Sequence, residues 1–145
     1  MILLDVNILL HLFNEQSPAH SPVKAWIYKV TNGGQWIGIP TQVLWSFIRI
    51  ATHPRAFAVP MKGDEAMDAV NTLLEGKQIR LIHPGPRHFE LLTHLVAEES
   101  ATGNLVPDAV LVALALEYGA TIASTDNDFR RFAVPWINPA KEKSK

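Results

Sequence analysis

Leu105–Phe129, LVPDAVLVALALEYGATIASTDNDF, reads as one helix followed by one strand, with carboxylates at both ends. Pro107 suits the first turn of a helix, where a missing N–H leaves nothing unpaired, and the Ala, Leu and Val run to Tyr118 continues the helix until Gly119 stops it. Ala120–Ser124 then reads as a short buried strand. The helix from Asp108 to Tyr118 rises about 16 Å at roughly 1.5 Å per residue, and a strand of about five residues climbs nearly the same distance back. Asp108 and Asp126 are thereby predicted to meet at one sheet edge. If the sheet is parallel, that edge holds the strand C-termini, where open α/β folds place their ligands.

The rest of the chain repeats the alternation. Met1–Leu4 is an apolar run ending at Asp5, read as a buried strand followed by a turn of helix through Ile8, Leu9, Leu12 and Phe13. Asp5 reads equally as an N-cap of that helix or as an acid that needs a partner. Val23, Trp26, Ile27 and Val30 recur at helical spacing before Asn32-Gly33-Gly34. Trp36–Pro40 reads as a second strand, and Thr41 as the N-cap of a helix from Gln42 to Ala51. Its apolar face takes Leu44, Phe47, Ile48 and Ala51, directing Arg49 elsewhere, more in the manner of a solvated charge than of a ligand contact. A Pro-punctuated loop, Thr52–Pro60, holds His53 and Arg55. Lys62–Leu74 is a further amphipathic helix, Ile79–His83 a third strand, and Arg87 to about Glu99 a helix after the break Pro84-Gly85-Pro86. This order predicts one α/β domain over residues 1–139 with a parallel sheet, followed by a charged, frayed tail at 140–145.

Composition narrows the function. With 145 residues and 48% apolar content the chain supports a single core. The absence of cysteine excludes disulfides, thiolate metal sites and cysteine nucleophiles, and agrees with a reducing, cytoplasmic compartment. The apolar start lacks a basic leader and is interrupted by Asp5, Asn7 and His11, so neither a signal peptide nor a membrane span is expected. A net charge of −1 provides no broad basic footprint, and any nucleic-acid role must rest on local sites. The six histidines lack zinc-protease spacing.

Asp5, Asp108 and Asp126, brought to one edge, would not all stay ionised without a cation. Hard oxygen ligands suit Mg²⁺ or Mn²⁺, which can activate water and steady a leaving oxygen in phosphodiester hydrolysis. At these positions the chain resembles the PIN-domain ribonucleases, and more closely the VapC toxins of toxin–antitoxin pairs. The resemblance is carried by Leu3-Leu4-Asp5-Val6-Asn7, by Phe47-Ile48-Arg49-Ile50 with Thr52-His53-Pro54-Arg55, by Gly103-Asn104-Leu105-Val106-Pro107-Asp108-Ala109, and by Ser124-Thr125-Asp126-Asn127-Asp128-Phe129. It implies a single PIN-like parallel sheet flanked by helices, and a Mg²⁺-dependent endoribonuclease that cuts RNA needed for translation. It further implies a homodimer held inactive by a cognate VapB-type antitoxin, whose C-terminal segment presents a basic side chain to the acidic pocket. Carried over residue by residue, Asp5, Asp108 and Asp126 would bind metal, and Asp128 would support them as an adjacent catalytic acid. Asn7 and Thr125 would be hydrogen-bonding groups behind the acids, and Arg49, His53 and Arg55 candidate contacts to RNA or partner. Many members carry a glutamate just before the Phe-x-Arg of the helix after the second strand; here that position is Ser46. A serine hydroxyl can hold a water but supplies no charge.

That departure motivates a rival reading, a catalytically weakened protein that acts only by binding RNA or another protein. A phospho-acceptor receiver domain fits less well, since Asp5-Val6-Asn7 offers one acid and no lysine lies near Asp126. A haloacid-type phosphatase requires Asp-x-Asp at the first strand, which Asn7 breaks. That each acid merely caps a helix or ends a strand accounts for any one of them, but less well for all sharing one edge.

Overall fold

The computed structural model describes residues 1–142. Among these, five strands form one parallel sheet in the order β3-β2-β1-β4-β5: β1 (Ile2–Leu4), β2 (Ile37–Pro40), β3 (Ile79–Ile82), β4 (Thr121–Ala123) and β5 (Trp136–Ile137). Six helices connect and flank them: α1 (Val6–Leu12), α2 (His20–Asn32), α3 (Thr41–Ala51), α4 (Gly63–Leu74), α5 (His88–Glu98) and α6 (Leu105–Tyr118). The expected single parallel sheet flanked by helices is therefore present. Of the tail placed at 140–145, residues 140–142 continue in a turn after β5, with the Ala140 amide donating to Asn138 Oδ1 at 3.0 Å, and 143–145 lie outside the described residues.

β1 is central and apolar throughout. Leu3 and Leu4 are fully buried, aligned with Gly38 of β2 on one side and with Ile122 and Ala123 of β4 on the other. A strand covered on both faces reads as a continuous apolar run rather than an alternation. The same holds for α6, where Leu111–Ala115 are all buried; a helix that is apolar all round belongs in the core. Its small residues Ala109, Ala113 and Ala115 leave room for close packing, and Gly119 closes it in the left-handed conformation at φ 60° and ψ 38° that an L side chain resists.

Several boundaries move. α6 starts at Leu105, three residues before Asp108, so that Asp108 sits within the first turn rather than at the helix start. Thr41 is the first residue of α3 and Pro40 its cap, without a side-chain cap bond. The sequence reading held no strand after β4; β5 is two residues long, a length at which periodicity carries no signal.

Glu117, near the end of α6, ties α5 in place. Its Oε1 accepts from the Gly85 amide at 2.8 Å and its Oε2 from the Arg87 amide at 2.9 Å, just ahead of α5. Position 85 must be glycine for this approach, since a Cβ there would lie 2.6 Å from Glu117 Oε2. Glu117→Ala removes two charge-assisted bonds to backbone donors and is expected to cost about 2 kcal/mol, measured as a lower urea midpoint at unchanged slope.

Candidate active site

In a parallel sheet every strand C-terminus lies at the same edge, and here the acids follow directly from three of the chain's turns onto that edge. Asp5 follows β1 and is the N-cap of α1: its Oδ1 accepts from the Val6 amide at 2.7 Å. Both readings of Asp5 are therefore compatible, because the capping bond occupies one oxygen and leaves Oδ2 turned toward β4. The Asp5 amide donates to Ala123 O at 3.0 Å, which continues the β1–β4 ladder by one residue and fixes where the carboxylate stands. Asp108 projects from the first turn of α6. Asp126 opens a short 3₁₀ turn, Asn127–Arg131, and accepts from the Asp128 amide at 2.9 Å.

Ser124, fully buried at the end of β4, joins these pieces. Its hydroxyl donates to Asp5 Oδ2 at 2.6 Å and accepts from Asn7 Nδ2 at 2.9 Å and from the Asp126 amide at 3.0 Å. One donor and two acceptor positions are the whole capacity of a hydroxyl, and all three are used. Asn7 completes the frame, with Nδ2 also donating to Asp5 Oδ2 at 2.8 Å and Oδ1 accepting from the Thr125 amide at 3.1 Å. Ser124 lies within the quoted motif but has no role in the sequence reading. Its signal, a small polar residue closing a buried strand just before an acid, becomes specific only when β1 lies alongside.

His11 was also missed. Its Nε2 lies 3.3 Å from Thr125 Oγ1 and its Nδ1 2.7 Å from Ser17 Oγ, so it links the end of β4 to the chain before α2. Burial lowers its pKa. Thr125 thus contributes a backbone donor to Asn7 and a hydroxyl near His11.

A small cavity of about 180 Å³ opens among these groups, lined by Asp5, Asn7, Asp108 and Asp126 and, from α3, by Gln42 and Ser46. Each of Asp108, Asp126 and Asp128 offers one carboxylate oxygen within 4.8 Å of the others. Asp5 borders the cavity from its buried side. A larger cavity of about 860 Å³ lies between α1, α2 and α4 near the start of β3, but Glu15 is its one acid among the described residues. Volume favours that cavity, whereas the chemistry favours the smaller one.

The electrostatics agree. Burial raises the pKa of Asp5, opposed by hydrogen bonds from Ser124, Val6 and Asn7, and the charge of Asp126 raises it further. Burial, then the charges of Asp5, Asp126 and Asp128, push Asp108 up to about 6. Crowded oxygens that resist joint ionisation form a donor set that suits a hard divalent cation, whose charge would relieve the repulsion.

The structure does not gather every predicted contact. α3 begins at the acidic edge and runs away from it. Arg49 stands about 10 Å along the helix from Gln42, and His53 and Arg55 follow its far end, roughly 15 Å from the pocket at 1.5 Å per residue. The Arg55 amide donates to His53 Nδ1 at 3.1 Å, a local turn contact.

The family model described as PIN domain matches residues 2–135. Ribonuclease VapC31 of Mycobacterium tuberculosis is 38% identical over 133 residues, 92% of this chain and 94% of that protein. Ribonuclease VapC33 of the same organism is 35% identical over 143 residues, 98% of this chain and all of that protein. The fold also matches the crystal structure of VapBC2 from Rickettsia felis bound to a DNA fragment from their promoter, with a TM-score of 0.72 and 16% identity over 95% of this chain and 98% of that one. A family match across nearly the whole chain, relatives of this similarity and length, and acids gathered at the C-terminal edge of a parallel sheet lead to one conclusion: the chain belongs to the PIN-domain family, among its VapC proteins.

Proposed function

We propose that this protein is a Mg²⁺-dependent endoribonuclease, the toxin of a toxin–antitoxin pair, which cuts RNA needed for translation. The observation that carries this reading is the convergence of Asp108, Asp126 and Asp128 within ligand distance, with Asp5 bordering the same cavity and Asp108 pushed up to about 6. The relatives named ribonucleases support the reaction class. The Rickettsia neighbour, solved as a VapBC pair, supports a protein antitoxin as partner. The toxin would work as a homodimer in the cytoplasm, and no helix among the described residues is long and apolar enough to cross a membrane.

In this reading Asp108 and Asp126 hold the cation, with Asp5 from the buried side and Asp128 from the exposed side. Bound there, Mg²⁺ or Mn²⁺ would lower the pKa of a water and offset negative charge on the phosphate. The protein's own part is orientation. Ser124 and Asn7 fix Asp5 Oδ2, and Ser124 also holds the Asp126 backbone, so that two acids from distant parts of the chain keep one spacing. Leu111 and Val43 line the cavity beside the acids and limit its water.

The first test is growth and protein-synthesis labelling in bacteria that express the wild type or Asp108→Asn without an antitoxin. Arrest by the wild type alone supports a carboxylate-dependent nuclease; arrest by both indicates toxicity through binding. Arrest by neither, with both proteins folded, favours the weakened-site reading that Ser46 motivates.

Ser46 lines the same cavity as Asp5, Asp108 and Asp126 from the second turn of α3, so that a carboxylate at this position would add to the acids around it. Ser46→Glu is expected to lower the Mn²⁺ concentration at half-maximal activity by about 10-fold, in line with the leverage of groups around a metal. A metal titration of cleavage checks it.

A further inference from the structure

A cation in the acidic pocket would accommodate the scissile phosphate alone, and the net charge of −1 provides no general attraction for the rest of an RNA strand. RNA must therefore be held beside the pocket by neutral donors, stacking surfaces or isolated cations. α3 presents all three along one face. At 100° per residue, Gln42, Trp45, Ser46 and Arg49 fall within about 100° of arc, next to but distinct from the buried face of Val43, Phe47 and Ala51.

Three observations mark this stripe. Gln42 lines the acidic cavity, and its Nε2 is buried with no hydrogen-bond partner among the described residues. A buried donor without an acceptor is unfavourable, which favours rotation of the side chain into the cavity it lines, where a phosphate oxygen would accept from it. Trp45, one turn along and adjacent to Ser46, is 67% exposed. Arg49, a further turn along, is exposed and makes no salt bridge among the described residues, whereas Arg131 pairs with Glu99 at 3.7 Å.

We infer that Gln42, Trp45 and Arg49 form a track for single-stranded RNA leading out of the cleavage pocket. This inference rests on the ribonuclease reading. Gln42 positions the phosphate at the cavity through its side-chain N–H, the Trp45 indole stacks on a neighbouring base, and Arg49 takes the next phosphate. Stacking tolerates any base, so the track provides grip and polarity more than sequence choice.

The test is fluorescence anisotropy with a labelled, unstructured RNA of roughly ten nucleotides, using Asp108→Asn protein so that binding is read without cleavage. Trp45→Ala is expected to weaken binding about 10-fold and Trp45→Phe to retain most of it, since a phenyl ring still stacks. Arg49→Ala is expected to weaken binding several-fold and to reduce the dependence of log K on log salt by about 0.7, one phosphate contact on a single strand. Gln42→Ala is expected to weaken binding with no change in that salt slope. Unchanged affinity in Trp45→Ala and Arg49→Ala overturns the track. Unchanged affinity with a dimer-to-monomer shift in sedimentation also overturns it and assigns the stripe to a contact between copies. Cleavage of the same RNA by wild type and Asp108→Asn runs in parallel: undiminished cleavage by the variant removes the nuclease site, whereas loss of cleavage with unchanged Trp45→Ala binding removes the track alone.

Discussion

Asp108→Asn is expected to lower RNA cleavage by roughly two to three orders of magnitude while making the metal-free protein more stable at neutral pH. The first effect follows from the several kcal/mol that a correctly held cation contributes to phosphoryl transfer. The second follows from the pKa. Asp108 has a folded-state value of about 6 against 3.8 for a free aspartate side chain, so its ionised form is disfavoured by folding. Below about pH 4 the group is protonated in both states and costs nothing. Between about pH 4 and 6 the unfolded state has released this proton while the folded state still holds it, so stability falls across that window and levels off above 6. Because the side chain is partly exposed, solvent screening leaves about 1 kcal/mol of the penalty at pH 7.5. Asparagine removes it, a gain of about 3 °C in Tm that vanishes near pH 4. Mn²⁺ is expected to raise the wild-type Tm by mass action and to leave the variant nearly unmoved. Thermal scans at both pH values, with and without Mn²⁺, read all of this. Equal activity of variant and wild type would remove Asp108 from the proposed site.

Ser124→Ala is the second large effect, and it has the opposite sign on stability. The substitution deletes three hydrogen bonds at once, leaving Asp5 Oδ2 with Asn7 alone and the Asp126 amide without its acceptor. A bond to a charged group and an orphaned donor together are worth about 2–3 kcal/mol, or roughly 8 °C in Tm for a chain of this size. Activity is expected to fall as well, with a particular signature. The Ser124 bond lowers the pKa of Asp5 against the effect of burial, so its loss raises that pKa further and moves the acid limb of the pH–rate profile to higher pH. A uniform loss at all pH values would instead indicate that Ser124 acts only on the fold.

These two variants separate what was legible from what was not. Asp108, Asp126 and Asp5 stood out as types at the ends of apolar runs; helix and strand lengths were enough to predict that Asp108 and Asp126 meet, and Asp5 joins them once the sheet is parallel. The alternation of strand and helix was legible because each run was long enough to show its period. Ser124 and His11 were not, because a hydroxyl or an imidazole has no sequence signature until its partners 119 and 114 residues away are placed beside it. Arg49 was legible as a charge off the apolar face of α3, whereas Gln42 and Trp45 beside it escaped for the same reason as Ser124. Trp45 belongs by composition to a core, and only the direction of α3 shows that it faces solvent next to the acids.

The amino-acid sequence by itself determined the α/β class, the parallel sheet and the chain positions of the acids, since these depend on local periodicity and on the rise per residue. Tertiary structure alone decided the strand order that sets β1 beside β4, the two-residue β5, and the reach of α3 away from the pocket. It also decided the protonation of the site: a carboxylate's pKa is set by burial and by neighbouring charges, and for Asp108 those neighbours, Asp5, Asp126 and Asp128, arrive from distant parts of the chain.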